Sequence, residues 1–211
     1  MIILDYLRAV SRGSSAYWER RARRYGRRSV LHKAHLDAEF EQITEWQKSI
    51  LFPLLQAHLN GSERLVLDFG CGLGRFTSGL AHLVGGRAIG VDPIAALLEL
   101  APADPQVEYK LLRHGRIPLP DHSADVLWIC LVLGVIRGWK LHNTLQELRR
   151  VLAPGGLVFL IENTTAKPSL KQIEFRSVAE YAKLVDFAHL EHLHDYEDLG
   201  ETISVLAGRG P

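Results

Sequence analysis

Val66-Leu67-Asp68-Phe69-Gly70-Cys71-Gly72-Leu73-Gly74-Arg75-Phe76-Thr77 decides how the rest of the chain is read. The apolar run Leu65-Val66-Leu67 predicts a short strand ending at Asp68. A glycine turn follows, and a helix is expected from about Arg75 to Val84. Glycine permits positive φ and lets a ligand come close to the backbone. The N-terminus of the following helix adds free N–H groups and the positive end of a dipole.

Outward from this turn, strands and helices alternate. Ala88–Val91 reads as a strand ending at Asp92, and Pro93 opens a helix through Leu100, in a position where proline is tolerated. Val107–Leu112 and Asp125–Leu133 read as strands, the second apolar almost throughout, as in a strand covered on both faces. Leu141–Leu152 reads as a helix stopped by Pro154-Gly155-Gly156, and Leu157–Ile161 as the fifth strand. Such alternation predicts a parallel sheet of βαβ units. Upstream, residues 37–59 have helical periodicity with Pro53 inside it, where it can kink or divide the helix. Residues 1–30 are Arg-rich, with a loop expected at Gly13-Ser14-Ser15. Downstream, a helix is expected over Ser177–Phe187, then strands over Ala188–Leu193 and Thr202–Ala207 as an antiparallel pair.

The glycines fall at 70, 72 and 74. A dinucleotide fingerprint, G-x-G-x-x-G, would want its third glycine where this chain has Arg75. Asp68, directly before the turn, is poorly placed for an anionic pyrophosphate. It suits a ligand with an ammonium group, such as the methionine part of S-adenosylmethionine. Asp92 closes the next strand about 20 residues further on, where a carboxylate can accept hydrogen bonds from both hydroxyls of a ribose. An N-cap before Pro93 would be its structural role.

These features together resemble the class I (Rossmann-like) S-adenosylmethionine-dependent methyltransferases, well over residues 64–165 and more loosely at the ends. Asp68–Gly74 resembles the family's first motif and Val91-Asp92-Pro93 its ribose-binding acid. Ile117–Asp121 with Ala124-Asp125-Val126 resembles the approach to strand four, LQELRRVLAPGG (Leu145–Gly156) the helix and turn before strand five, and Ile203–Arg209 the closing strand. The resemblance implies a three-layer α/β, doubly wound sheet of seven mostly parallel strands, the last antiparallel. It also implies a helical cap (1–60) over a Rossmann-like domain (61–211), with S-adenosylmethionine as cofactor and S-adenosylhomocysteine as product. The expected cofactor contacts are Asp68, Phe69, Gly70, Cys71, Gly72, Gly74, Asp92, Pro93, Cys130 and Leu131. Many relatives carry an acid after strand three that binds adenine. Here Arg113-His114 stands in that place, and these two enter as adenine contacts.

The segment with Trp18, Arg21 and Tyr25 is similar to one that lies over the cofactor in such enzymes, where Arg21 would pair with a carboxylate and Tyr25 hydrogen-bond it. The other readings of this basic run are a solvated helix face and a phosphate-binding arm. In an open α/β sheet, ligands bind beyond the carboxyl ends of the strands. The acceptor pocket is therefore expected from the N-terminal region, Gly134–His142 and Glu162–Phe175. His35 and His142 are the candidate general bases, and no metal site is expected, the tail histidines His189, His192 and His194 being too weakly patterned.

Bulk properties fit a soluble globular chain. Its 211 residues are 47% hydrophobic and 23% charged, with a net charge of +1. Two cysteines, Cys71 and Cys130, sit in apolar runs and suggest buried free thiols. No apolar run reaches the length needed to span a bilayer, so a cytoplasmic location and no membrane partner are expected. The lack of an N-P-P-Y-like tetrapeptide after strand four (Cys130-Leu131-Val132-Leu133) and of a docking domain points to a small-molecule acceptor (metabolite, sugar or natural-product intermediate), with nucleic acid disfavoured and a second copy of the chain a candidate partner. Two other functions stay open: a non-catalytic S-adenosylmethionine-binding protein and an NAD-dependent oxidoreductase.

Overall fold

The computed structural model describes residues 16–170 and 173–211. The loop expected at Gly13-Ser14-Ser15 lies outside them. Seven strands form one sheet: β1 (Leu65–Phe69), β2 (Arg87–Asp92), β3 (Val107–Leu111), β4 (Ala124–Cys130), β5 (Leu152–Asn163), β6 (Glu191–Asp198) and β7 (Glu201–Arg209). Their order is β3-β2-β1-β4-β5-β7-β6. The pairs β1–β2, β1–β4, β2–β3 and β4–β5 are parallel, and β7 runs antiparallel to both β5 and β6. This matches the expected seven-stranded mixed sheet.

Helices cover both faces. A strand turns successive side chains to opposite sides, so the fully buried neighbours Val66 and Leu67 enter different cores. On one side Leu67, Leu127, Ile129 and Leu160 meet α5 (Trp139–Val151) and α6 (Val178–Leu184) through Leu148 and Tyr181. On the other, Val66, Val126, Trp128 and Phe159 meet α2 (Phe40–His58) and α3 (Thr77–Leu83) through Leu51, Leu55 and Leu80. Trp128 stacks on Phe159 with centroids 5.2 Å apart. Helix α2, expected within the 1–60 cap, is thus also one layer of the sheet's packing. The remaining helices are α1 (residues 16–25) and the short α4 (Ala95–Leu98).

Several boundaries differ from the sequence expectation. Pro53 sits inside an unbroken α2. Pro154-Gly155-Gly156 does not end before the fifth strand but bulges within it: Ala124 pairs with Leu152 and Val126 with Leu157, and Gly155 has φ +68°. A positive-φ glycine loops the extra residues out without breaking the ladder. The last hairpin is longer than expected, with a two-residue Leu199-Gly200 turn. Strand β6 is rich in His, Asp and Glu and half exposed, so it carries no apolar signal.

Candidate functional site

The carboxyl ends of β1, β2, β4 and β5 surround a cavity of about 300 Å³, whose lining also includes Trp18 of α1 and the segment Val30–His32. The glycine turn forms its floor. Gly70, Gly72 and Gly74 have φ of +74°, +58° and +77°, so L-residues there would be strained. A side chain on Gly70 would meet Val132, one on Gly72 Val30, and one on Gly74 the ring of Tyr109. The turn is held low against the sheet by the amides of Gly70 and Cys71, which donate to the Val91 carbonyl at 2.8 and 3.1 Å.

Three buried carboxyl groups stand at the ends of β1, β2 and β5. Asp68 accepts from the Thr77 hydroxyl at 2.6 Å. Burial pushes its carboxyl up to about 7, aided by the neighbouring Asp92 and opposed by that hydroxyl and by Arg75. Asp92 places one oxygen on each side: Oδ2 accepts from Gly72 N–H at 2.9 Å and Oδ1 from Ile94 N–H at 2.8 Å. Burial raises it to about 6 against those two bonds. Each oxygen keeps a second lone-pair direction for a ligand hydroxyl. Glu162, at the end of β5, braces the loop after β4. Its Oε1 accepts from Val132 and Leu133 N–H at 2.9 and 2.6 Å, and its Oε2 from Gly134 N–H and the Tyr181 hydroxyl at 3.3 and 3.2 Å. Burial raises it to about 7. Leu131, at the head of this loop, has φ +58°, a strained backbone facing the cavity.

The structure brings together Trp18, Asp68, Phe69, Gly70, Cys71, Gly72, Asp92, Pro93, Cys130 and Leu131 around the cavity. Gly74 underlies the turn but does not line it. Arg113 and His114 lie outside as well. They form a tight turn, with an Arg113–Arg116 bridge, φ +54° at His114 and +72° at Gly115, while Leu112 takes the cavity wall. A two-residue turn with both φ positive carries these side chains past the pocket.

Arg21 does not reach the cavity either. Its Nε and Nη2 donate to the carbonyls of Ser29 and Leu31 at 2.6 and 2.8 Å, so it clamps the strap that covers the glycine turn. Tyr25 is exposed, ringed by Arg21, Arg24 and Arg28. His142 is exposed on α5. His35 is buried, with Nε2 2.7 Å from Asp198 Oδ1; it ties the N-terminal segment to the β6–β7 hairpin and does not line the cavity.

Glu162, Asn163 and His32 fall in segments expected to build the acceptor pocket but had no individual role, and Asp198 and Glu201 had none at all; all five line the cavity. For Glu162 a signal was present: an acid ending the apolar run Leu157–Ile161, the pattern that marked Asp68 and Asp92. For the others none was, because contact between residue 32 and residue 201 depends on the hairpin folding back. Arg75 was read only as a missing glycine. It binds the side chains of Thr44 and Gln47 on α2, locking that helix to the turn.

The family description "Methyltransferase domain" matches residues 67–160. Demethylmenaquinone methyltransferase of Symbiobacterium thermophilum is 32% identical over 146 residues, 62% of this chain and 54% of that protein. The tRNA U34 carboxymethyltransferase of Campylobacter curvus is 32% identical over 122 residues, 56% of this chain and 40% of that protein. The chain thus spans about half the length of the curated relatives it matches. Among solved structures, DhpI in complex with SAH shares the fold with a TM-score of 0.66 at 20% identity, over 94% of this chain and 96% of that one. Residues 67–160 thus match a methyltransferase domain by sequence, and most of the chain shares the fold of solved S-adenosylmethionine-dependent methyltransferases.

Proposed function

We propose that the chain transfers the methyl group of S-adenosylmethionine to a small-molecule acceptor with a largely apolar body, without a metal, leaving S-adenosylhomocysteine. The observation that carries this reading is the Asp92 carboxylate, tied to Gly72 and Ile94 amides beside a positive-φ glycine turn, with lone pairs open to the cavity. The glycine turn admits the cofactor's backbone-close end, where any side chain would intrude. Asp68 offers a carboxylate to an ammonium group. The bound sulfonium supplies an already activated methyl group, so alignment of the acceptor accounts for much of the rate.

Around the remaining space, Leu31, Val135, Ile136 and Ile173 give apolar walls, and Asn163, Asp198 and Glu201 a polar end. Covering the site with Trp18 and Val30–His32 excludes water, the competing nucleophile. An oxidoreductase reading is disfavoured by Asp68, whose charge would face a pyrophosphate, and by Arg75, whose guanidinium is turned to α2.

The test is calorimetry with S-adenosylmethionine, S-adenosylhomocysteine and NAD, followed by transfer of labelled methyl to an acceptor panel. Binding of both sulfur ligands but not NAD, with label reaching a small apolar acceptor, is the expected result. Binding without transfer to any acceptor would favour the non-catalytic reading.

The same site predicts a pH dependence. Ribose hydroxyls and an ammonium group both favour the ionised carboxylates, so the ligand pulls Asp92 and Asp68 down from about 6 and about 7. Affinity for S-adenosylhomocysteine should therefore be full near pH 8 and fall as pH drops through those values. Calorimetry near neutral pH in buffers of different ionisation enthalpy should show protons released on binding. A flat profile would mean that neither carboxylate faces the ligand.

A further inference from the structure

The distribution of exposed apolar and basic side chains is one-sided. Eight large apolar residues are substantially exposed among the described residues. Five of them, Leu36, Leu131, Trp139, Leu170 and Leu199, belong to segments around the cavity mouth. Leu131 lines the cavity, and Trp139 opens α5 at the same sheet end. The carbonyl of Leu170 is held by Arg137, which also holds the cavity residue Ile173. Leu36 adjoins His35, whose ring binds Asp198, the neighbour of Leu199. The far end of the sheet has Leu100 as its one counterpart among the described residues.

Leu199 is the most telling of these. It is the first residue of a two-residue hairpin turn, with φ +52° at Leu199 and +76° at Gly200. That turn favours Asn or Asp in its first position, because a bulky side chain at positive φ is strained. Here a leucine occupies it and is 54% exposed. Local preference is broken to hold an apolar tip in solvent, a pattern that marks function.

Charge is equally lopsided. Arg20–Arg28 holds six arginines and no acid, while the rest of the chain, with 19 basic and 24 acidic residues, carries −5. Arg20, Arg23 and Arg24 are exposed and form no ion pair with any described residue. Helix α1, which carries them, covers the cavity through Trp18. In the turn that follows α1, Arg27 pairs with Asp37, next to Leu36, so the basic face and the apolar rim are continuous.

We propose that the cavity mouth docks on an anionic lipid surface: α1 lies against headgroups, Leu36, Trp139, Leu170 and Leu199 enter the interface, and the mouth opens towards the apolar phase. A folded nucleic acid would use the arginines but give the leucines nothing to bury, whereas a bilayer satisfies both. This is peripheral attachment and departs from the sequence expectation of no membrane partner, which rested on the lack of a spanning segment.

Flotation of the full chain with vesicles tests the idea without any catalytic readout. The vesicles are phosphatidylcholine alone or phosphatidylcholine with phosphatidylglycerol. Binding to the anionic vesicles that weakens with salt is expected, with little binding to the neutral ones. Replacing Arg20, Arg23 and Arg24 by Gln should weaken it by on the order of a hundredfold. Leu199→Asn suits the turn, so it should keep or raise thermal stability while weakening vesicle binding by roughly tenfold. No binding to either vesicle, an unchanged Leu199→Asn variant, or arginine-dependent binding of a short RNA with no vesicle binding would each overturn the proposal.

Discussion

Replacing Asp92 by alanine should lower affinity for S-adenosylhomocysteine by at least about a hundredfold and leave the protein folded. Two hydrogen bonds from a diol to a charged acceptor contribute about 1.5–3 kcal/mol each, and a factor of ten corresponds to about 1.4 kcal/mol. The substitution also frees the amides of Gly72 and Ile94, so the turn beneath the ligand loosens. Asparagine is no remedy, since its NH₂ would face one of those amides, donor against donor. Stability should fall by less than for Glu162→Ala, because only two amides at the cavity edge lose their acceptor. Calorimetry beside a melting curve checks both halves. Full affinity in a folded Asp92→Ala protein would remove the chief support for the cofactor assignment.

Glu162→Ala should damage the fold itself. Three backbone amides and the Tyr181 hydroxyl lose their acceptor together. An unsatisfied buried donor costs about 1–3 kcal/mol; even with water entering from the cavity, a loss of about 3 kcal/mol is expected. For a chain of this size that is a melting point lower by roughly 6–12 °C. The loop carrying Leu131 and Val132 would then leave the cavity wall, so ligand binding should weaken as well. Glu162→Gln removes the charge while keeping an acceptor for Val132 and Leu133, its NH₂ turning to the Tyr181 hydroxyl at the expense of the long bond from Gly134. The carboxyl titrates at about 7 in the folded protein, above its usual range. Protonation therefore favours the fold: the contribution is complete below the unfolded value near about 4.3 and is lost as pH rises through 7. Wild type should lose stability between about pH 5 and about pH 7, and Glu162→Gln should lose less over that window. Parallel melting curves at the two pH values decide it.

The parts of the site legible in the sequence were those built from contiguous residues. The glycine turn, Asp68 and Asp92 follow from strand, turn and acid at fixed spacing, and the cavity walls contributed by Phe69, Cys71 and Cys130 come with them. The order of the alternating elements was legible for the same reason, since the runs at 65–67, 88–91 and 126–130 are apolar on both faces. What depended on chain segments meeting across the sheet was not. His35 looked like a base beside a basic run, yet Asp198 and the β6–β7 hairpin enclose it. Arg21 looked like a ligand contact, yet the carbonyls of Ser29 and Leu31 claim its guanidinium. Arg113 and His114 occupy the aligned positions for adenine, but the two-residue turn sends them outward. Glu162 was readable by analogy with the other strand-end acids, although its role as a brace appears only when the loop after β4 folds over it.

The histidines that alternate along β6 bear on how the molecule behaves at high concentration. Strand β6 is an outer strand of the sheet, and an outer strand offers unpaired N–H and C=O groups to any other extended chain. Here that row is lined by Glu191, His192, His194, Asp195, Glu197 and Asp198, with the ladder irregular between His192 and His194 and His192 paired to Asp195 at 2.8 Å. A second copy adding itself strand to strand would have to bring like charges together along a kinked template. The weakly patterned tail, which carries no apolar signal, is thereby suited to keeping the sheet from growing beyond seven strands.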